Sequence, residues 1–343
     1  MSLFDQLVDV ALRTRADLSP LRPVVEKELL HHDILREVSE AGWLAGLTFI
    51  GGTCLRACYG SARLSEDLDF TGGSDFRRGD LAGLATILTD RLQTRYGLPV
   101  RVSEPVKSGG NVSNWKLVIE TRPGQKHLPA QRINVDICAI PSHDRRPMML
   151  RNLYGVDLGT SGLILQAQSR EEILADMVVA LAWRENRIKN RDLWDILWLL
   201  QQGVELPLPL IPKKIRDRKR KEAEFIAALE TRLAGLRTQP ALRTDFVKEM
   251  SRFLPPAVVR DTLSKKPYWS YLVQAVSELG GKAVAALKSR SLSPRPCVAA
   301  AEVEQGKSLG VAGLHCGMNG RVDLPDDESR RHLEGGWPRN WFD

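Results

Sequence analysis

The sequence predicts an α+β fold in which a strand-rich region flanked by helices is followed by a helical region. Between residues 47 and 140, short apolar runs are separated by glycine-containing turns and polar loops, a pattern typical of strands. From Ser169 onward, apolar residues recur every three or four positions, as in amphipathic helices. A chain of 343 residues is also longer than a single core usually needs. We therefore predict a first domain over residues 1–160, a helical domain over 161–288 and a poorly ordered tail over 289–343.

Each element follows from a local pattern. Residues 24–43 carry apolar side chains at helical spacing among charged ones, which predicts an amphipathic helix before the first strand. Ser169 and Glu172 have the spacing of a capping box, so a helix is predicted to begin there. A second helix is predicted from about residue 191 to 202, and further helices continue to roughly residue 288. The predicted strands are residues 47–50, 68–71, 100–103, 115–120 and 133–140.

The composition is that of a globular protein. Apolar residues make up 43% of the chain and charged residues 27%, and no apolar run approaches the length of a membrane-spanning helix. The amino end lacks the pattern of a secretory signal, and the five cysteines form no CxxC pair, so we expect a cytoplasmic protein. Lys and Arg number 49 against 42 Asp and Glu, a formal charge of +7 that permits a polyanionic partner without identifying one.

A Gly-Gly-Thr segment follows the first predicted strand. Gly51 and Gly52 would open a helix whose free backbone N–H groups can hold a phosphate, and glycine lets a phosphate approach the backbone closely. Thr53 adds a hydroxyl donor, and Arg63 adds a fork-shaped guanidinium group suited to a triphosphate. Taken alone, such a Gly-Gly-Thr segment is more often an ordinary turn.

Three aspartates lie where a metal site needs them. Asp67 and Asp69 are spaced i and i+2 at the second predicted strand, so their carboxylates point to one face, and Asp136 falls inside a later strand. Mg²⁺ binds a few carboxylates together with substrate phosphates, and two such ions can assist a phosphoryl transfer. We predict all three aspartates as metal ligands and Asp136 as a group that helps deprotonate an incoming hydroxyl. Individually, each acid could instead be a solvent-facing charge.

Together these motifs resemble the AbiEii/AbiGii nucleotidyltransferase family, which includes the MenT toxins. The similar residues are Gly-Gly-Thr, Arg63, the segment Ser65-Glu66-Asp67-Leu68-Asp69-Phe70 and, in a later helix, Arg191, Asp192, Leu193 and Asp195. The resemblance covers roughly residues 24–202 clearly and the later helices loosely. It implies a mixed sheet of the DNA polymerase β-like nucleotidyltransferase type with flanking helices, followed by a helical domain.

The same resemblance implies an activity and partners. Members of the family are toxins of type IV toxin–antitoxin and abortive-infection systems that use a nucleoside triphosphate (NTP) with Mg²⁺, and some MenT members add nucleotides to the 3′ end of tRNA. A cognate antitoxin protein and an RNA acceptor are therefore expected as partners. By resemblance, Asp192 faces the active cleft and takes part in catalysis, and Asp195 fixes its helix. The residues implied to bind the nucleotide are Gly51, Gly52, Thr53, Arg63 and Ser65.

One residue departs from the family pattern. Where the family has a lysine after Ala-(Asp/Glu), this chain has Met177 after Ala175 and Asp176. That lysine is taken to act at the nucleotide, so this chain either lacks full activity or takes the positive charge from another residue. The candidates are Arg184, Arg187, Lys189 and, on the strand before Asp136, Lys116.

The densest charge on the chain is the segment KKIRDRKRK at residues 213–221, with seven basic side chains in nine positions. Such a run is typically a solvated helix face, and a patch that follows the phosphates of an RNA acceptor is the alternative.

The leading hypothesis is transfer of a nucleoside monophosphate from an NTP to a hydroxyl, with release of pyrophosphate. Two alternatives stay open: a non-catalytic homologue that binds an NTP or a partner, and a nucleotidyltransferase of aminoglycoside-like small molecules. A basic acceptor surface would favour RNA, and an acidic one would favour a cationic drug.

Overall fold

The computed structural model describes residues 2–105, 111–125, 128–184 and 187–292. The strands are β1 (Thr48–Ile50), β2 (Leu68–Thr71), β3 (Val100–Ser103), β4 (Val112–Ile119), β5 (Gln131–Cys138), β6 (Arg145–Met149) and β7 (Ile164–Gln168). The helices are α1 (Leu3–Thr14), α2 (Arg22–Glu40), α3 (Gly51–Ala57), α4 (Leu84–Tyr96), α5 (Arg170–Trp183), α6 (Asn190–Gln201), α7 (Ile211–Asp217), α8 (Glu222–Thr238), α9 (Pro240–Met250), α10 (Pro256–Val258) and α11 (Lys266–Leu292).

All seven strands belong to one mixed sheet with the order β3-β4-β5-β2-β1-β7-β6. The pairs β2–β5 and β1–β7 are parallel, and the other neighbouring pairs are antiparallel. Helices flank this sheet and continue after it, so the predicted α+β class with a mixed sheet is confirmed. The five predicted strands and the helix predicted at residues 24–43 are present, with boundaries that shift by a few residues.

Two strands were not predicted from the sequence. β6 reads Arg-Arg-Pro-Met-Met, without alternation of polar and apolar residues, and it lies at the edge of the sheet, where a proline is tolerated. β7 lies between β6 and β1 and pairs in parallel with β1. Because β7 ends at Gln168, the sheet extends past the domain boundary that we predicted at residue 160. That boundary stays a prediction.

The predicted capping box at the start of α5 is only half present. The Ser169 hydroxyl accepts a hydrogen bond from the Glu172 backbone N–H, as expected of an N-cap. The Glu172 carboxylate does not return to Ser169 and instead accepts hydrogen bonds from the backbone N–H groups of His143 and Asp144. α5 is therefore joined to the loop before β6, because a buried carboxylate takes the donors that tertiary packing offers.

α5 is the central helix of the molecule. Every residue from Glu172 to Ala182 is buried, and the helix contacts α6, α7 and α8. On the sheet, Phe49 of β1 and Phe70 of β2 stack with their ring centroids 5.0 Å apart. Burial of apolar side chains such as these contributes on the order of 1.5–3 kcal/mol each. The sheet and α5 lie on two sides of a cleft.

Among the residues described, no helix combines the length and the apolar character needed to cross a bilayer. The last helix, α11, extends to Leu292, a few residues beyond the end predicted near residue 288. The remainder of the predicted tail, from residue 293, lies outside the described residues.

Candidate active site

A cleft opens between the sheet and helices α5 and α6. Its empty space, counted together with the part open to solvent, is about 650 Å³. From the sheet side it is lined by residues around the ends of β1 and β2, and from the helix side by residues of α5, α6 and the segment between them. The lining residues are Gly51, Gly52, Arg63, Ser65, Asp67, Asp69, Gln168, Ile173, Asp176, Met177, Ala180, Arg184, Lys189, Arg191, Asp192 and Asp195.

The pairing of the strands brings the predicted metal ligands together. Asp69 of β2 is in register with Asp136 of β5, so the two side chains are neighbours on one face of the sheet. Asp67 immediately precedes β2, and its Oδ1 atom accepts hydrogen bonds from the backbone N–H and the side-chain Nδ2 of Asn134, at 2.9 and 3.0 Å. Asp67 and Asp69 line the cleft, whereas Asp136 is buried beside Asp69 and is not among the lining residues.

These acids repel one another. Burial raises the pKa of Asp69 to about 7, and the negative charges of Asp136 and Asp67 add to that rise. A bound cation would relieve this crowding. Within the part of the chain that the structure describes, however, no three His, Cys, Asp or Glu side chains converge as a ready-made metal site.

Two asparagines that were not predicted hold the acids in place. Asn134 binds Asp67, as described, and Asn114 of β4, in register with Asp136, donates a hydrogen bond from its Nδ2 atom to Asp136. The i, i+2 spacing of Asn134 and Asp136 was a visible signal, because it places both side chains on one face of β5. No sequence signal could have found Asn114, because its position depends on the register between β4 and β5.

The predicted triphosphate ligand Arg63 is buried and bound to an acid of α6. Its Nε and Nη2 atoms donate to the two carboxylate oxygens of Asp195 at 2.8 and 2.5 Å. A Cβ atom at Gly52 would overlap Nη2 of Arg63, so glycine there makes room for this guanidinium group. Gly51 has a φ of +72° and lies beside Asp69, 3.3 Å from the place a Cβ would occupy to the Asp69 Oδ2 atom. Close packing therefore explains the absence of a side chain at both positions, and both glycines line the cleft.

The other predicted nucleotide ligands lie in different surroundings. Thr53 is buried, and its hydroxyl donates to the backbone carbonyl of Asp67 and shares a hydrogen bond with the Ser65 hydroxyl. Ser65 lines the cleft, whereas Thr53 does not. Lys116 is exposed on β4 in register with Asn134 and is not among the lining residues.

On the helix side, Asp192 lines the cleft as the resemblance implied. Nε and Nη2 of Arg184 donate to its Oδ2 atom at 2.8 and 2.5 Å. Arg191 also lines the cleft, and its guanidinium group lies 3.6 Å from a carboxylate oxygen of Glu66 and 5.1 Å from the centre of the Phe253 ring. Arg184 and Arg191 are therefore engaged with neighbouring acids, and Arg191 also with an aromatic ring.

Met177 lines the cleft at the position where the family pattern has a lysine. Of the three candidates near it for the missing charge, Arg184 and Lys189 line the cleft, whereas Arg187 is exposed and does not. Burial lowers the pKa of Lys189 to about 8, and the charges of Arg184 and Arg191 add to that fall. A cationic side chain therefore remains in the cleft, supplied from the segment before α6.

The basic segment at residues 213–221 is not uniformly solvated. Lys214 is 1% exposed; its ammonium group donates to Asp176 at 2.9 Å and also pairs with Glu172. Nη2 of Arg218 donates to the other oxygen of Asp176 at 2.6 Å. Two of the seven basic residues thus join α7 and its C-terminal end to α5. These buried ion pairs were not predicted from the sequence. The other five are exposed: Lys213, Arg216, Lys219, Arg220 and Lys221.

A second, larger groove of about 1480 Å³ lies beyond Glu66, between the start of α2, the start of β5 and the region after α9. Its charged lining consists of one acid, Glu66, and four basic residues: Lys27, Arg132, Arg252 and Arg260. Arg132 lies two and four residues before Asn134 and Asp136 on β5, so all three share one face of the strand. That face runs from the acids to a largely apolar groove whose charged residues are mainly basic.

A protein-family model described as "Nucleotidyl transferase AbiEii toxin, Type IV TA system" matches residues 33–274. Among solved structures, MenT4, the nucleotidyltransferase toxin Rv2826c of Mycobacterium tuberculosis H37Rv, aligns with a TM-score of 0.51 and 17% identity, over 82% of this chain and 89% of that chain. JHP933 of Helicobacter pylori aligns with a TM-score of 0.42 and 14% identity, over 78% of this chain and 94% of its own. A putative nucleotidyltransferase of H. pylori aligns with a TM-score of 0.36 and 15% identity, over 78% and 96%. The search of curated proteins finds no match.

Proposed function

Because this chain belongs to the AbiEii family of nucleotidyltransferase toxins of type IV toxin–antitoxin systems, we propose that it uses Mg²⁺ to transfer a nucleoside monophosphate from an NTP to a hydroxyl of RNA. The observation that carries this proposal is the register of Asp69 with Asp136, beside Asp67, at the edge of the cleft. The 3′ end of tRNA is the acceptor that we favour. A cytoplasmic location and a cognate antitoxin stay predictions.

The acids fit Mg²⁺ in donor type and in charge. Mg²⁺ prefers hard oxygen donors and is usually bound by one or two carboxylates together with substrate phosphates, so a preformed three-ligand group is not required. Burial and the crowding of like charges raise the pKa of Asp69, and the crowding is the electrostatic condition that a divalent cation relieves. Asp67, Asp69 and Asp136 would hold the metal, which would supply charge neutralisation at the phosphates.

In the proposed reaction, the acceptor hydroxyl oxygen attacks the α-phosphorus of the NTP. An O–P bond to the acceptor forms, the bond between the α-phosphorus and the bridging oxygen breaks, and pyrophosphate leaves. Asp136 takes the proton of the attacking hydroxyl. Asn114 keeps the Asp136 carboxylate oriented, and Asn134 does the same for Asp67. Positioning and electrostatics carry most of the catalysis in such transfers.

The nucleotide would enter the cleft between the acids and α5. Lys189 and Arg191 offer positive charge to the triphosphate from the helix side, and Gly51, Gly52 and Ser65 lie on the sheet side. Arg63 and Asp192 are engaged in ion pairs with Asp195 and Arg184. We propose that these two hold the walls of the cleft together while lining it.

The basic groove favours RNA over a small cationic acceptor. Lys27 pairs with Glu66 and Arg260 lies beside Asp261, so the uncompensated charge of the groove comes mainly from Arg132 and Arg252, which would attract a phosphate backbone and repel an aminoglycoside. Arg132 at the groove and Asp136 beside the other acids lie on the same face of β5, which is the direction in which we propose that an acceptor strand approaches. The exposed remainder of residues 213–221 is a second basic surface for RNA.

The test is to incubate the purified protein with each labelled NTP, Mg²⁺ and total tRNA. We expect label on tRNA from the wild type and a loss of at least about 1000-fold with Asp69→Ala, equivalent to about 4 kcal/mol of transition-state stabilisation. Asp90→Ala, which removes an exposed acid of α4, is the matched control and should keep full activity.

Other outcomes separate the alternatives. NTP binding without transfer to RNA, to protein or to a small molecule would support a non-catalytic homologue. Transfer to an aminoglycoside but not to tRNA would support the small-molecule alternative. Equal activity of the wild type and Asp69→Ala would refute the assignment of the acids.

A further inference from the structure

Asp67 stands at the end of a loop without regular secondary structure. Ten residues, 58–67, separate α3 from β2. Helix-type backbone bonds to α3 hold only residues 58–60, so the backbone of the later part of the loop depends on the groups that hold it from outside, while Asn134 binds the Asp67 carboxylate itself. Most of those groups lie on α2 and α3.

Glu28, a buried residue of α2, contacts this loop and α3. Its Oε1 atom accepts a hydrogen bond from the backbone N–H of Ser65 at 2.8 Å. Both of its carboxylate oxygens lie 3.1 Å from Nε of Arg56 on α3, and Oε2 also accepts from the Tyr154 hydroxyl. This one carboxylate therefore joins α2, α3 and the loop, two residues before Asp67.

The neighbouring bonds act on the same loop. Nη1 of Arg56 donates to the backbone carbonyl of Ser61 at 2.9 Å, at the start of the loop. The ring Nε2 of His31, one turn after Glu28 on α2, lies 3.0 Å from the backbone carbonyl of Glu66. Thr53 binds Ser65 and the carbonyl of Asp67. Through Arg56, Glu28 holds the start of the loop, and through Ser65 it holds the end.

We infer that Glu28 is a positioning residue for the catalytic acids: its carboxylate fixes the loop that presents Asp67, although it lines no part of the cleft. This inference rests on the proposed function, because it assigns Glu28 a part in holding the metal-binding acid. Neighbours that orient metal ligands typically change metal affinity or activity by about 10- to 100-fold when they are removed.

The chain offers a matched control on the same helix. Asp33 is also a fully buried carboxylate of α2; it accepts a hydrogen bond from the Tyr96 hydroxyl at 2.5 Å and pairs with Arg36 at 3.0 Å. None of its bonds reaches the loop at residues 58–67. Asp33→Asn therefore reproduces the loss of a buried charge without the loss of the loop contact.

The experiment compares Glu28→Gln and Asp33→Asn by titration with Mn²⁺, a paramagnetic substitute for Mg²⁺, in the absence of nucleotide. It is run below the unfolding temperature of both variants. We expect Glu28→Gln to weaken Mn²⁺ binding by at least about 10-fold and to lower kcat more than it raises KM for the NTP. Asp33→Asn should stay within about twofold of the wild type. If Glu28→Gln binds Mn²⁺ as the wild type does, or if Asp33→Asn loses as much, the inference is wrong.

If Glu28→Gln does not fold, a gentler pair takes its place. Tyr154→Phe removes the hydroxyl that binds Glu28, and Tyr96→Phe removes the one that binds Asp33. A loss of Mn²⁺ affinity of about threefold or more in Tyr154→Phe alone would support the inference, and equal affinities would overturn it. A wild type that binds Mn²⁺ but transfers no nucleotide would refute the proposed function, whereas the positioning role would still be decided by the Mn²⁺ affinities.

Discussion

Two sets of aspartates lie in or beside the same cleft, and their hydrogen-bond partners differ. On the sheet, Asp67 and Asp136 accept hydrogen bonds from asparagine amides, and Asp69 lies between them. On the helices, each aspartate is bound by a cationic group: Asp176 by Lys214 and Arg218, Asp192 by Arg184, and Asp195 by Arg63. Neutral amides orient a carboxylate without cancelling its charge, whereas guanidinium and ammonium groups cancel it.

The difference is visible in the pKa values. Burial and the neighbouring acids raise the pKa of Asp69 to about 7. Burial alone would also raise the pKa of Asp176, but the charges of Lys214 and Arg218 outweigh burial and hold it below its ordinary value. Asp69 therefore retains an electrostatic strain that a cation can relieve, whereas Asp176 is a charge-compensated part of the scaffold. A cationic partner alone does not decide the direction, because burial outweighs the charge of Arg63 and raises the pKa of Asp195. Repulsion from neighbouring acids at Asp69 and the direct cationic partners of the helix set separate the acids we assign to chemistry from those we assign to structure.

The largest effect on stability should come from the helix set. At pH 7.5 without Mg²⁺, Asp176→Asn should lower the free energy of unfolding by about 3 kcal/mol, because it leaves Lys214 and Arg218 buried with less compensating charge. Urea denaturation followed by circular dichroism measures this change. Asp90→Asn, at an exposed site, should stay within about 0.5 kcal/mol of the wild type. A similarly small change in Asp176→Asn would contradict the structural role.

Replacing Asp69 of the sheet set by asparagine should instead raise the free energy of unfolding. Because the pKa of Asp69 is raised in the folded protein, the native state binds the proton more tightly than the unfolded chain, and apo stability falls as pH rises from about 4 to 7. Asp69→Asn removes this loss. At pH 8 we expect the apo variant to be more stable than the wild type by about 2 kcal/mol, with a flatter pH profile.

Thermal unfolding of both proteins from pH 4 to pH 8 measures this difference. Added Mg²⁺ should stabilise the wild type and leave Asp69→Asn unchanged, because ligands stabilise the state that they bind. The comparison between the two sets fails if Asp69→Asn destabilises the apo protein at pH 8 as Asp176→Asn does.

The sequence could predict the sheet set because its signal is local. The i, i+2 spacing of Asp67 and Asp69 and the alternation around Asp136 are properties of single strands. The register that places Asp69 beside Asp136 is a tertiary property, and so are the bonds of Asn114 and Glu28. A pattern of one strand or helix cannot encode a partner whose position depends on how elements pack.

The helix set also depends on contacts that the sequence pattern cannot predict. The segment at residues 213–221 is strongly basic as a sequence, which predicts a solvated or RNA-binding surface. Lys214 and Arg218 nevertheless point toward α5, because α7 packs against that helix. There they form ion pairs with the buried Asp176. Composition alone cannot distinguish these two residues from the five exposed ones.

Met177 follows Asp176 on α5 and lines the same cleft as Asp69. Of the substitutions considered, a change at Met177 should have the smallest effect. A lysine there would bring a cationic group from α5 into the cleft, on the side opposite Asp69. We expect Met177→Lys to bind an NTP about tenfold more tightly, which corresponds to about 1.4 kcal/mol. The physical reason is attraction between the added ammonium group and the triphosphate in a partly desolvated cleft. Met177→Leu keeps the apolar volume and should leave the affinity unchanged, and both are measured by calorimetric titration with an NTP. If Met177→Lys binds no more tightly than Met177→Leu, then the cations before α6, Lys189 among them, already supply the charge that the triphosphate needs.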